Sequence, residues 1–278
     1  MIIVKRLLPL ALGICLLNTS CENSGNTENN GTDSTAQRPA VELADIPASP
    51  EYPDAQLGIN NVKAEKQGND SAKVSFSFDV KNYELKSQTA DATGKNCNNS
   101  DKGQHIHFIL DNKPYVALYE PKHELVLANN TEHYLLCFLS RSYHESVKSP
   151  GAAVVYHFKI DENGKLQKMD NPTTPMVFCS RPKGDYLGKD TENLLFDFYV
   201  WNATLGNDGY KVKAHISGDG VDTTMTITDW KAYFLKNMPM GKPNITLTLV
   251  DKDGNKVEGP GSEVTREFNL SKDEPMAH

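Results

Sequence analysis

FSFDVKNYEL, residues 76–85, and FDFYVWNATL, residues 196–205, carry Phe, Phe, Val, Asn and Leu at the same five offsets. In both, apolar and polar residues alternate, which is the period of a half-buried strand. Phe76, Phe78 and Val80 share one face, and so do Phe196, Phe198 and Val200. The match continues downstream. GQHIHFIL (103–110) sets Ile106, Phe108 and Leu110 against Val212, Ala214 and Ile216 of GYKVKAHI (209–216). YLLCFLS (134–140) then pairs with NITLTLV (244–250), and PGAAVVYHFKI (150–160) with PGSEVTREFNL (260–270). Turn signals such as DENGK (161–165), SGDG (217–220) and DKDGNK (251–256) separate the strands. Short strands at this spacing predict an all-β chain with two tandem immunoglobulin-like β-sandwich domains, made by copying one unit.

The rest of the chain frames these copies. Lys5 and Arg6 followed by LLPLALGICLL (7–17) predict a signal peptide over 1–20, too short to span a membrane. NTSC then resembles a lipoprotein cleavage box, although Asn18 stands where such boxes usually have Leu; lipid would attach to Cys21. Residues 21–55 are rich in Asn, Ser, Thr, Gly and Pro and predict a disordered tether, roughly 30 Å in mean reach. The expected domains are 56–165 and 191–272, with a Pro- and Gly-dense linker at 166–190 and a tail at 273–278. Within that linker, Pro175–Ser180 reads as a first strand of the second copy. Cys97, Cys137 and Cys179 are an odd number; Cys97 and Cys179 are the pair if a bridge exists, and no zinc-type CxxC occurs.

A net charge of −7 argues against a nucleic-acid surface. No nucleophile elbow, phosphate-binding glycine loop or HExxH helix is present, so no catalytic residue and no cofactor are assigned. The copies differ where function is expected. The first has a polar loop over 86–102 where the second has only GND, 206–208. Tyr134, Leu136 and Phe138 form an apolar stripe on the outward face, where the second copy has Asn244, Thr246 and Thr248. A stripe of that kind marks a contact, with the second domain, the 86–102 loop or a partner. His105 and His107 flank it, and RSYHES gathers Arg141, Tyr143 and His144.

Two histidines at i and i+2 suit copper or zinc. Their counterparts are Lys211 and Lys213, however, so polarity alone satisfies the fold there, and no metal is assigned. Should a third ligand exist, His133 at the start of the middle strand is the better candidate. His157 also points outward, but the Cys137 strand separates it from the pair by about 9.6 Å.

GQHIHFILDN (103–112), YLLCFLSRSYHES (134–146) and SRPKGDY (180–186) resemble a family of bacterial envelope lipoproteins with tandem immunoglobulin-like repeats. The resemblance covers residues 57–270. Its members often carry the label phosphopeptide-binding protein, which implies a peptide partner. Only Lys211, Lys213 and Arg141 near His144 match that label, with no arginine cluster of the kind phosphate recognition uses. The resulting expectation is a non-enzymatic binding or scaffolding lipoprotein of the cell envelope. It would be lipid-anchored to the outer membrane, on its periplasmic side or surface-exposed, with a protein or peptide partner on domain one. The contact residues would be His105, His107, Tyr134, Leu136, Phe138, Arg141, Tyr143 and His144. The alternatives are a periplasmic copper or zinc binder using His105, His107 and His133, and a carbohydrate-acting or hydrolytic enzyme.

Overall fold

The computed structural model describes residues 38–273, leaving the signal segment, Cys21, most of the tether and the end of the tail outside the described residues. The strands are β1 (Glu42–Asp45), β2 (Gln56–Gln67), β3 (Ser71–Lys81), β4 (His105–Leu110), β5 (Val116–Leu118) and β6 (Lys122–Ala128). They continue with β7 (Thr131–Ser140), β8 (Ala153–Ile160), β9 (Leu166–Lys168), β10 (Met176–Arg181), β11 (Gly184–Leu187) and β12 (Leu194–Trp201). The last are β13 (Lys211–Gly218), β14 (Val221–Ile227), β15 (Tyr233–Lys236), β16 (Asn244–Val250) and β17 (Glu263–Ser271).

The protein is all-β, two immunoglobulin-like sandwiches in tandem. The first packs sheet β2-β3-β6 against β5-β4-β7-β8-β9, and the second packs β1-β15-β12-β10 against β11-β17-β16-β13-β14. The copies share their central strands, while β1 has no counterpart in the first sandwich and edge strand β9 pairs antiparallel where β11 pairs parallel. β3 lies between β2 and β6 as β12 lies between β10 and β15, so Phe76 and Phe196 occupy equivalent strands. Register is kept as well: His105 opposes Ser140 and Cys137 opposes Val154, while Lys211 opposes Val250 and Leu247 opposes Val264. Each alternating pattern buries the face that the repeat assigns inward. Phe76, Phe78, Ile106, Phe108, Cys137 and Phe158 fill one core, and Phe196, Phe198, Val212, Ala214, Leu247 and Phe268 the other.

Three expectations need correction. The tether does not stay without structure to residue 55, because Glu42–Asp45 pairs antiparallel with β15 and becomes an edge strand of the second sandwich. The stretch 166–190 is largely strand, holding β9, β10 and β11; Met176–Arg181 is the first strand of the second copy, as its sequence indicates. Cys97, Cys137 and Cys179 are all free, with Cys179 committed to the second core on β10.

From Arg38 onward the chain is one unit, and the two sandwiches dock face to face. Ile109, Leu136, Phe138 and Val155 on the outer face of the first meet Met176, Phe178 and Tyr199 of the second. Phe138 stacks on Tyr199 with centroids 5.3 Å apart. Leu136 and Phe138 of the apolar stripe are thus covered by the second sandwich, Tyr134 only partly, and each large side chain buried there contributes roughly 1.5–3 kcal/mol.

Candidate functional site

β4 leaves its sandwich core at every second residue, so His105 and His107 point the same way, toward the docked partner sheet. β7 runs antiparallel to β4, which brings the end of β7 beside the start of β4, with Ser140 opposite His105. The turn after β7 then folds back over the pair: Arg141 N–H donates to Glu145 O and His144 N–H to Arg141 O, both at 2.9 Å. This turn delivers His144. Its Nδ1 lies 3.1 Å from His105 Nε2, which is itself 2.9 Å from His107 Nε2. One nitrogen from each ring falls within a 4.8 Å group, and all three residues are buried.

His144 sits at φ +70°, in the left-handed region that costs a side chain conformational energy. The matching turn of the second copy shows why this is informative. Val250 bridges Lys256 as Ser140 bridges Ser146, which places Gly254, φ +87°, opposite His144. The backbone there wants glycine, and the first copy has histidine instead. A strained residue at a convergence of imidazoles points from observed strain to function. The trio has Lys211, Lys213 and Gly254 as its counterparts, a set that ligates nothing.

The surroundings hold the rings in place. His105 Nδ1–H donates to Gly103 O at 2.8 Å, which leaves the Nε2 lone pair facing the other two rings. Gly103 takes φ +80°, and a Cβ there would meet Lys86 O at 2.4 Å, so only glycine lets the backbone pass. His107 Nδ1 lies 3.1 Å from Ser180 Oγ, on β10 of the other sandwich. A hydroxyl both donates and accepts, so it suits either tautomer of His107. Tyr115 stacks flat on His107, centroids 3.6 Å apart, with its hydroxyl 3.1 Å from His144 Nδ1. The 86–102 loop clamps the turn that carries His144: Ser142 N–H donates to Thr89 Oγ1 at 2.9 Å and Ser100 N–H to Ser142 O at 2.9 Å.

Burial dominates the electrostatics. It lowers His105 to about 4, and it holds His107 and His144 well below the ordinary histidine range. Arg181 and Lys183 push in the same direction on all three. The imidazoles are therefore neutral, which is the form that binds metal. Tetrahedral coordination at about 2.0–2.1 Å spaces nitrogen ligands about 3.3 Å apart, close to the 2.9 and 3.1 Å that separate His105 Nε2 from the other two rings.

The other expected site residues have different roles. His133 is not part of the trio: it bonds Asp111 Oδ2 at 2.8 Å and Thr131 Oγ1 at 2.7 Å. It begins β7, and antiparallel pairing puts that end beside Leu110, away from His105. His157 stacks on Tyr134 at 4.4 Å and meets Glu132. Leu136 and Phe138 lie between the sandwiches instead of on an open surface. Arg141 pairs with Glu145 and donates to Ser146 O, which spends its charge on the turn itself. Tyr143 is buried beneath Lys95. The buried carboxylate of Asp197 is engaged by Lys148 and Ser146. Sequence reasoning missed Tyr115 and Ser180 as partners. It also named His144 only as part of a contact surface and not among the metal ligands, although antiparallel pairing of β4 and β7 brings it beside His105.

No family model matches the chain, and no curated protein does. Among solved structures, it is similar to the fibronectin(III)-like modules of Clostridium thermocellum CbhA, with 11% identity, 80% of this chain and 100% of that one covered, and a TM-score of 0.27. The extracellular domain of a hybrid two component system from B. thetaiotaomicron matches at 10% identity and TM-score 0.28; the match covers 83% of this chain and 44% of that one. The two tandem V-type regions of a chitin binding protein match at 7% identity over 78% of this chain and 99% of that one, with TM-score 0.24. Scores this low carry no argument about function, and the strand order and register above define the class: an all-β protein of two docked immunoglobulin-like sandwiches.

Proposed function

We propose that this chain is a non-enzymatic metal-binding module, with the two sandwiches as a rigid housing for one copper or zinc ion. One observation carries the reading: three buried neutral imidazoles bring one nitrogen each within 4.8 Å of the others. Imidazole donors suit zinc and copper. The leader, Cys21 and the resemblance of three stretches to envelope lipoproteins support an outer-membrane lipid anchor and an exported site. Among the described residues no helix is long and apolar enough to cross a membrane. A protein or peptide contact on the first sandwich has no support of its own, because Leu136 and Phe138 of the stripe that suggested it are covered by the second.

The test is titration of the purified protein with Zn2+ and Cu+, followed by bound metal per chain and by thermal midpoint. One ion per chain and a raised midpoint are expected. H105Q, H107Q and H144Q should each abolish uptake, while H133Q should not. Uptake that survives all three changes, or none in the wild type, would sink the reading.

A further inference from the structure

The charged residues that bear most on the trio, apart from the histidines themselves, are Arg181 and Lys183, both positive. A divalent ion held by three neutral imidazoles would add two more positive charges to a buried site. Such a site needs an anionic donor. Of the carboxylates of the turn and loop, Glu145 pairs with Arg141, Asp91 pairs with Lys95, and Asp101 is exposed.

We propose that Tyr115 Oη is the fourth ligand, closing the site as three histidines and one phenolate. The inference rests on the metal-binding reading and extends it. Position supports it first. Tyr115 Oη is 3.1 Å from His144 Nδ1, which is 3.1 Å from His105 Nε2, which is 2.9 Å from His107 Nε2. Four donor atoms thus run in contact, each step near a tetrahedral edge. Charge supports it second: burial raises the Tyr115 phenol above its ordinary range, and Arg181 beside it pulls the other way. Arg181 is almost wholly buried with no carboxylate partner; it donates to Tyr186 Oη at 2.9 Å, and its guanidinium stands 5.6 Å from the Tyr115 ring. Its Nε has no hydrogen-bond partner among the described residues. Lys183 Nζ donates to Tyr115 O at 2.8 Å and lies 4.1 Å from the ring centroid. A coordinated phenolate offsets both the ion and these two cations. The phenol proton leaves to solvent as the oxygen meets the metal, as with other metal-bound hydroxyls. Four protein ligands leave no open position, the arrangement of sites that hold metal rather than use it in catalysis.

The experiment loads the full protein with Cu2+ and records its visible spectrum, then compares Zn2+ affinity in wild type and Y115F. Expected are a phenolate-to-copper charge-transfer band in the wild type, its loss in Y115F, and zinc binding at least ~10-fold weaker in Y115F with one ion still bound. Added azide should leave the wild-type copper spectrum unchanged and perturb that of Y115F. A copper-loaded wild type with no such band, or one that takes azide readily, overturns Tyr115 while leaving the histidines standing. Absence of any uptake by the wild type removes the metal reading beneath it. If Y115F fails to fold, the wild-type spectrum and its azide response decide alone.

Discussion

β4 in the first sandwich and β13 in the second hold the same place in the same sheet, yet one presents buried histidines and the other half-exposed lysines. The copies agree on direction: His107 and Lys213 both point away from their own cores, opposite Phe138 and Thr248. What differs is the cover. The second sandwich lies on the outer face of the first, and the 86–102 loop clamps its 141–145 turn. Lys211 and Lys213 keep partial contact with water, donating only to backbone carbonyls of the 251–254 turn. A repeat therefore transmits which way a side chain points and leaves its surroundings to whatever docks on it.

The largest effect expected from this difference is at Phe138 and its counterpart Thr248. Phe138 is fully buried between the sandwiches, so F138A should cost about 3–5 kcal/mol. Thr248 makes an exposed hydrogen bond to Glu263, and T248A should stay within about 0.5 kcal/mol. Denaturant unfolding of both variants measures the gap. Equal costs would mean that docking adds nothing and that the two outer faces are alike.

The second effect is on pH dependence. The folded protein holds His105 at about 4, against 6.5 for a free histidine, chiefly by burial. In that window the unfolded chain binds a proton that the folded chain refuses, so stability rises with pH. This contribution is fully present above pH 6.5 and is lost as pH falls toward 4, on the order of 3 kcal/mol for His105 alone. His107 and His144 shift the same way. Thermal midpoints of the metal-free protein should fall between pH 7 and pH 4.5, and H105Q should flatten the slope. A wild-type slope matched by H105Q would show that His105 titrates as an ordinary surface histidine.

Most of the scaffold was legible in the chain, because alternation and duplication are local and repeated. Phe76 against Phe196, the inward Ile106 and Phe108, and the strand at Met176–Arg181 all follow from pattern. The strand at Glu42–Asp45 did not, since ELAD within a polar segment is set by an edge of β15 lying almost 200 residues away. At the site, the outward direction of His105 and His107 was legible and their burial was not. Lys211 and Lys213 reported what an undocked face tolerates. The third histidine was hidden by a different cause: His144 arrives through a left-handed turn, and its informative partner, Gly254, lies in a turn read only as a turn. Tyr115 and Ser180 belong to segments whose role exists only once the sandwiches meet.

The smallest effect is the sharpest test of that last point. Among the described residues, Ser180 is the one hydroxyl of the second sandwich that hydrogen-bonds a member of the trio, 3.1 Å from His107 Nδ1. For Nε2 to hold metal, Nδ1 must carry the proton and donate it to Ser180 Oγ. S180A deletes that acceptor without changing any ligand. Loss of a partner of this kind typically weakens metal binding 10- to 100-fold, whereas a single hydrogen bond contributes about 1 kcal/mol to the fold. S180A should therefore lower zinc affinity by at least about 10-fold with little change in unfolding midpoint of the metal-free protein, and S180T should restore much of it. A cost in stability with affinity untouched would make Ser180 an ordinary interface residue, and the second sandwich would then be a lid over the histidines rather than a part of their site.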